Sequence, residues 1–208
     1  MCWRAIIQYS HQQLSPHTYT LITAPDGKNF LLIDAGEGYT FWSASALWAD
    51  DAVCQQAADT KARVLEIVAQ WAEPVPAIVE ATPEYDIVER PICDRPPLPT
   101  WSKGRVTLLG DAAHPVVPVL GQGGNMAFED AYELAECLAH APSLETALCA
   151  YEHRRIPRTE EIYIHSAIRG ARAYQPDSET TIPQMMKPPR MGEKEFQEWL
   201  YSYHPSVI

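Results

Sequence analysis

In the first fifty residues, hydrophobic and polar positions form short β-prone runs, and turn residues separate one run from the next. Pro25-Asp26-Gly27 and Gly36-Glu37-Gly38 are strong turn signals, because glycine accepts the backbone conformations that tight turns need. The pattern predicts an antiparallel meander. Its four apolar runs are residues 3–9, 17–24, 30–34 and 39–48.

The next stretch has a helical repeat of apolar positions. Apolar residues recur every three to four positions across residues 53–71, and Asp50-Asp51 offers carboxylates that can cap the start of a helix. Pro74 ends the predicted helix. A short strand is expected at residues 85–90, before a proline-rich extended stretch.

The remaining elements are one strand and two helices. Residues 105–109 form a compact apolar strand that Gly110-Asp111 ends, and a glycine-rich loop then leads to a helix beginning near Asn125. A second helix follows Pro142-Ser143, and Pro157 should kink or interrupt it. The expected buried stripe of the first helix comprises Ala127, Ala131, Leu134 and Leu138.

Composition narrows the class of protein. Hydrophobic residues make up 46% and charged residues 21% of the 208 residues, as in ordinary globular proteins. Acidic residues outnumber basic ones by 27 to 16, and the net charge of −11 disfavours a nucleic-acid partner. No apolar run approaches the length of a membrane span, so we expect a cytoplasmic protein. The five cysteines include no CxxC pair, so we expect reduced thiols and no metal site.

The candidate chemistry lies between Gly104 and Leu138. A strand that ends in Gly110-Asp111 presents a carboxylate at its carboxyl end, where ligands bind in open α/β sheets. The glycine-rich turn after it lets a flat ligand approach the backbone. The helix that follows directs free amide N–H groups and the positive end of its dipole toward the same place. Such a helix start stabilises negative charge on a ligand.

This segment resembles the second FAD fingerprint of class A FAD-dependent aromatic-ring monooxygenases, the group of para-hydroxybenzoate hydroxylase, salicylate hydroxylase and zeaxanthin epoxidase. The matching residues are Gly110, Asp111, Ala112, Ala113, His114, Pro118, Gly121, Gly123, Asn125, Asp130 and Ala131. The resemblance extends over about residues 1–170. It includes Trp3-Arg4 near the start and the Ala-Leu-x-x-Tyr-Glu-x-Arg-Arg pattern of residues 147–155.

The resemblance implies a role for each residue of the segment. Asp111, which follows Gly110, would bind the ribityl hydroxyls of FAD, and Pro118 would lie near the carbon of the flavin that reacts with oxygen. The backbone of Gly121, Gln122, Gly123, Gly124 and Asn125 would face the pyrimidine edge of the ring. The helix start there would stabilise the anion of the reduced flavin. We expect His114 to brace the loop, and we interpret Arg154, Arg155 and Arg158 as a solvated, salt-bridged helix face.

The resemblance also implies the fold and the activity. The expected fold is α+β or α/β, with an antiparallel substrate-domain sheet and the C-terminal part of a Rossmann-like FAD-binding domain with two C-terminal helices. The expected boundaries are residues 1–100 for the substrate domain, 101–172 for the FAD-binding part and 173–208 for a proline-rich tail with a short helix. The implied activity is hydroxylation or epoxidation of a small aromatic or unsaturated substrate through a flavin hydroperoxide, with NADPH or NADH as the reductant.

No catalytic residue can be assigned, and the substrate contacts stay open. Arg4 would hold an acidic or phenolic substrate, or would only form an ion pair within the fold. Trp42 would line the substrate pocket, but an aromatic residue on a sheet is more often part of the core, and the same holds for Trp3 and Trp48.

The family's Gly-x-Gly-x-x-Gly unit, which holds the FAD pyrophosphate, does not occur in the sequence. We therefore expect a truncated or half protein that uses a partner chain with the N-terminal half, or self-association. The alternative is a non-redox binding or regulatory protein, or a cofactor-free isomerase or cyclase, on a shortened monooxygenase scaffold.

Overall fold

The structure is a computed structural model that describes residues 1–12, 14–46, 59–174 and 187–204. In these residues the chain forms two compact units. Residues 1–92 build the first unit, and residues 93–173 with 187–204 build the second. Both strands and helices are present, as the α+β expectation requires.

The first unit contains five strands, namely β1 (Cys2–Gln8), β2 (Tyr19–Thr23), β3 (Asn29–Gly36), β4 (Tyr39–Ser45) and β5 (Val88–Arg90). They form one antiparallel sheet in the order β2-β3-β4-β1-β5. The predicted antiparallel sheet is confirmed, but the simple meander is wrong because β1 pairs with β4 and not with β2. The connection at residues 9–18 is too long for a hairpin turn, so β1 is free to pair elsewhere.

One face of this sheet is buried under two helices, α1 (Thr60–Val68) and α2 (Val75–Ala81). Trp42 is fully buried there. Its ring stacks on that of Phe30 with 5.5 Å between centroids, and its Nε1 donates to Thr82 Oγ1 at 2.9 Å. Alternate residues along β1, β3 and β4 reach this core, as the period of a half-buried strand requires.

Only part of the predicted first helix can be compared with the structure. Asp50-Asp51, Val53 and Trp48 lie outside the described residues. The helix described in this region, α1, begins at Thr60 and ends at Val68, before Pro74.

The second unit is helical apart from one small hairpin. Its elements are β6 (Ser102–Lys103), β7 (Val106–Thr107), α3 (Gly123–His140), α4 (Leu144–Tyr174) and α5 (Glu193–Tyr201). The strand predicted at 105–109 is shortened to β7, which pairs with β6 across a turn in which Gly104 has φ +63°. Val106 remains 67% exposed, because no further strand covers it in the described residues.

Helix α4 continues through Pro157, so the expected interruption is wrong. Buried side chains on both sides of the proline, Tyr151 and Ile162, hold the helix against its neighbours. Tertiary packing of this kind can outweigh the hydrogen bond that proline removes. None of the helices in the described ranges is both long and apolar enough to span a membrane.

The buried face of α3 differs from the predicted stripe. Ala131 is exposed and Leu138 is 48% exposed, whereas Asp130 and Glu133 are fully buried. The prediction was wrong by about one residue around the helix, because apolarity alone does not reveal that a carboxylate has a buried partner. The buried positions are Met126, Asp130, Glu133 and Cys137.

The core of the first unit generates a stability prediction. Replacing Trp42 with Ala should reduce the free energy of unfolding by about 3–5 kcal/mol, since it removes the stack on Phe30 and leaves a cavity. Tyr85, which is 87% exposed, is the matched control, and Tyr85→Ala should change stability by no more than about 0.5 kcal/mol. Urea unfolding followed by circular dichroism measures both values. Equal losses in the two variants would contradict the core role of Trp42.

Candidate functional site

A buried carboxylate on α3 organises the loop that carries the fingerprint. Asp130 Oδ2 accepts a hydrogen bond from the backbone N–H of Gly110 at 2.8 Å and contacts His114 Nε2 at 2.5 Å. Its other oxygen, Oδ1, accepts from Arg155 Nε on α4 at 2.7 Å. The strand end, the loop and two helices therefore meet at one side chain. His114 braces the loop, as predicted.

The charges at this junction are matched. Burial would raise the pKa of Asp130, but hydrogen bonds from His114 and from the Gly110 N–H, together with the charge of Arg155, hold that pKa below its usual value. Arg155 is fully buried and also contacts Glu129 Oε2 at 2.7 Å. Asp130 is therefore ionised at neutral pH and fixes Gly110 in place.

The predicted site residues at the strand end lie beside the start of α3. Gly110 is buried with φ +58°, and a Cβ there would lie 3.4 Å from that of Ala127. Asp111 follows it and is exposed. A Cβ placed on Gly123 would be 3.8 Å from Asp111 Oδ1, so the carboxylate and the helix start are neighbours.

The glycine-rich turn leaves the start of α3 open. Pro118 begins a 3₁₀ turn that ends at Gly121, where φ is +63°. Gly121 and Gly124 are exposed positions where a Cβ would meet no described atom within 4 Å. Asn125 and Pro118 are also exposed, whereas Gln122 is buried.

The amides at this helix start are available to a ligand. The first α-helical bond runs from Met126 N to Gln122 O at 2.8 Å, so the N–H groups of residues 123–125 have no intrahelical acceptor. The Gln122 side chain makes no capping bond to any residue that the structure describes, and the first turn has no acidic side chain. The first turn of α3 therefore does not neutralise the positive end of the helix, and the carboxylate beside it is that of Asp111.

The arginines of α4 form a buried network, and the solvated face predicted for them is wrong for Arg155 and Arg158. These two residues are buried, and the Glu129 carboxylate accepts hydrogen bonds from Arg158 Nε at 2.8 Å and Nη2 at 2.7 Å. Arg154 is only partly buried and contacts Glu133 at 2.9 Å. The prediction of salt bridges is confirmed. Sequence reasoning missed the partners, although Asp130 was part of the matched motif.

Arg4 and Trp42 lie on opposite faces of the sheet of the first unit. Arg4 alternates with the buried Trp3 and Ala5 and is exposed, whereas Trp42 points into the core. The structure therefore does not bring the two substrate-contact candidates together. Among the residues that the structure describes, no cluster of His, Cys, Asp or Glu could hold a metal ion.

The junction at Asp130 predicts a pH-dependent stability. Asp130→Asn should cost about 3 kcal/mol, near the low end for a broken buried ion pair, because Glu129 still contacts Arg155. The pKa of Asp130 is lower in the folded chain than in the unfolded chain. Its contribution to folding stability is therefore complete above the unfolded pKa of about 3.9, and this contribution is lost as the pH falls through the folded pKa.

The stability difference between the wild-type chain and Asp130→Asn should therefore narrow below about pH 4. Urea unfolding at pH values from 7 to 3 measures it, with the exposed Glu198→Gln as the control that leaves stability within about 0.5 kcal/mol. A difference that stays constant with pH would show that the charge of Asp130 is not what stabilises the junction.

The family model and the known proteins that match this chain agree with one another. The model of the FAD binding domain family matches residues 52–166, more than half of the chain. Aurachin C monooxygenase/isomerase of Stigmatella aurantiaca is 36% identical over 159 residues, which cover 76% of this chain and 40% of that protein. Chloroplastic zeaxanthin epoxidase of Spinacia oleracea is 39% identical over 140 residues, 67% of this chain and 20% of that protein.

A solved structure extends the comparison to the fold. Klebsiella pneumoniae HpxO, in complex with FAD and uric acid, superposes with a TM-score of 0.74 at 26% identity and covers 86% of this chain and 46% of that one. The chain thus spans less than half the length of these relatives. The motif, the fold and the matched family model agree: this chain belongs to the FAD-binding domain family of the class A flavin-dependent monooxygenases.

Proposed function

We propose that this chain supplies the ribityl-binding and ring-binding part of the FAD site of a flavin-dependent monooxygenase. The observation that carries the proposal is the position of the Asp111 carboxylate beside Gly123 at the start of α3. One ligand that bears both hydroxyl groups and an electron-poor ring can use the two features together. The flavin-ribityl unit of FAD is such a ligand.

The hydrogen-bond donors and acceptors at this site fit the flavin-ribityl unit. Asp111 is exposed and ionisable, so it can accept hydrogen bonds from the ribityl hydroxyls. Gly121 and Gly124 leave the backbone open to a flat ring. The free amides of residues 123–125 can donate to the carbonyl oxygens of the ring, and the α3 dipole stabilises the negative charge that reduction places there.

The residues around this site would act mainly by positioning. Asp130 and His114 fix the loop so that Asp111 points outward, and Pro118 limits the space beside the ring. FAD, when bound, would supply the redox and oxygen chemistry, with NADH or NADPH as the reductant. The protein would contribute orientation and exclusion of water.

We assign the FAD-binding role to residues 101–172 and the substrate-domain role to residues 1–100. The substrate class is a small aromatic or unsaturated molecule. Arg4, exposed on the open face of the sheet, is the candidate contact for an acidic or phenolic group. Trp42 would contribute indirectly, because its ring supports the sheet from the buried face.

An apolar face of α3 indicates where the rest of the FAD site would pack. Phe128 is 78% exposed, and Ala131, Tyr132 and Leu138 follow it at helical spacing, also exposed. Exposed apolar residues that recur along one helix are typical of a binding surface. We propose that this face packs against the βαβ segment that carries the pyrophosphate loop.

The first functional prediction concerns flavin binding. A polypeptide of residues 1–208 should bind riboflavin and FAD with dissociation constants within about threefold of each other, because the Gly-x-Gly-x-x-Gly motif that holds the pyrophosphate does not occur in these residues. Asp111→Asn should weaken riboflavin binding roughly tenfold, since hydrogen bonds to a charged group are lost. It should leave binding of lumiflavin, which has no ribityl chain, unchanged. Quenching of flavin fluorescence measures each constant.

Asp94→Asn is the matched control, since Asp94 is another exposed aspartate of the second unit. Equal weakening of lumiflavin and riboflavin by Asp111→Asn would refute the ribityl contact. Binding of small aromatic ligands with no affinity for any flavin would instead support a non-redox protein or a cofactor-free isomerase on this scaffold.

The second functional prediction concerns the apolar face of α3. Phe128→Asp should leave the unfolding free energy of the isolated chain within about 0.5 kcal/mol, because the ring is exposed. It should weaken association with a βαβ partner at least about tenfold, since a charge would be buried without a partner. The probe is the part of the aurachin relative that this chain does not match, co-expressed with the chain and analysed by size-exclusion chromatography.

Tyr201→Asp, on the exposed side of α5, is the control that should retain the complex. A wild-type chain that dimerises alone and becomes monomeric with Phe128→Asp would show that a second copy covers the face. That result would contradict the βαβ partner.

A further inference from the structure

The segment at residues 187–204 packs against the core of the second unit and is not a loose tail. Phe196 and Leu200 of α5 are buried, and Phe196 stacks on His165 of α4 with 3.7 Å between ring centroids. The buried Glu161 carboxylate accepts hydrogen bonds from the backbone of Arg190 at 2.9 Å and from its Nε at 3.0 Å. These contacts carry the chain to Tyr203, beyond the region that the family model matches.

Tyr203 contacts charged residues on both α3 and α4. Its hydroxyl donates to Glu133 Oε1 on α3 at 2.6 Å and accepts from Arg155 Nη1 on α4 at 3.4 Å. Its ring lies 3.9 Å from the guanidinium carbon of Arg158. A single side chain from the C-terminal segment therefore ties the two helices together.

The guanidinium of Arg155 also connects Tyr203 to the loop that begins at Gly110. Arg155 Nε donates to Asp130 Oδ1, and Asp130 Oδ2 accepts from the N–H of Gly110, which precedes Asp111. The two links between Arg155 and Gly110 are 2.8 Å or shorter and join buried groups, whereas the link between Arg155 and Tyr203 is 3.4 Å long. Buried hydrogen bonds of this kind are strengthened by the low local dielectric constant.

We propose that Tyr203 is a positioning residue for the flavin site, acting through Arg155 and Asp130 on Gly110-Asp111. The inference rests on the proposed function for its consequence, but its structural part can be tested without flavin. The Tyr203 hydroxyl orients Arg155 so that the guanidinium keeps its hydrogen bond to Asp130. Without the hydroxyl, Arg155 Nη1 loses one of its two acceptors and keeps only Glu129. The guanidinium is then held in place by fewer contacts, and the clamp on Gly110 loosens.

The hydroxyl remains a donor over the working pH range. Burial and the hydrogen bond to Glu133 raise the pKa of Tyr203 to about 12. The phenol is therefore protonated at neutral pH, as its bond to the Glu133 carboxylate requires. Phenylalanine keeps the ring against Arg158 and removes only the hydroxyl, so Tyr203→Phe isolates the proposed link.

The test compares Tyr203→Phe with Tyr201→Phe, since Tyr201 is an exposed tyrosine two residues earlier. Hydrogen exchange of the Gly110 amide, measured by NMR without ligand, should accelerate roughly five- to tenfold in Tyr203→Phe and remain unchanged in Tyr201→Phe. Riboflavin binding should weaken by a similar factor in Tyr203→Phe alone. The Ile162 amide, in the core of α4, serves as the internal reference.

Unchanged exchange at Gly110 in Tyr203→Phe would overturn the proposal. Equal acceleration at Gly110 and Ile162 would also overturn it, since a uniform effect reports general loss of stability. Selective acceleration at Gly110 in a chain that binds no flavin would refute the proposed function but leave the mechanical link intact.

Discussion

One buried carboxylate organises the second unit. Asp130 has no exposed surface, and its two oxygens take the amide of Gly110, the ring of His114 and the guanidinium of Arg155. Burying the Asp130 carboxylate without these partners would cost several kcal/mol, so the three contacts offset its burial. Their common effect is to hold the end of the strand against α3, with Asp111 directed to the surface beside the helix start.

The sequence predicted the parts of this structure that depend on local chemistry. Alternation of apolar residues was enough to identify the sheet of the first unit, and the Gly110-Asp111 turn and the start of α3 followed from the motif. The buried face of α3 did not follow, because the burial of Asp130 depends on Arg155, 25 residues later in the chain. A pattern of apolar positions assigns charged residues to the surface, even where they form a buried ion pair.

The strand predicted at residues 105–109 was incomplete for a related reason. Backbone hydrogen bonds define a strand, and the described residues offer only Ser102–Lys103 as a neighbour. Together with the exposed apolar face of α3, this edge agrees with a chain that spans less than half of its relatives' length. The charged side of α3 has its partners within the chain, whereas its apolar side is exposed in the described residues.

A flavin site in this chain requires that Asp111 and the start of α3 bind the same ligand. The most direct measurement is a titration of the isotope-labelled chain with riboflavin, followed by the backbone amide signals in NMR spectra. Saturable shifts should appear together at Asp111 and at Gly123, Gly124 and Asn125, with a single dissociation constant. Shifts confined to the sheet of the first unit, or shifts at Asp111 and the helix start that saturate at different concentrations, would contradict a shared flavin site.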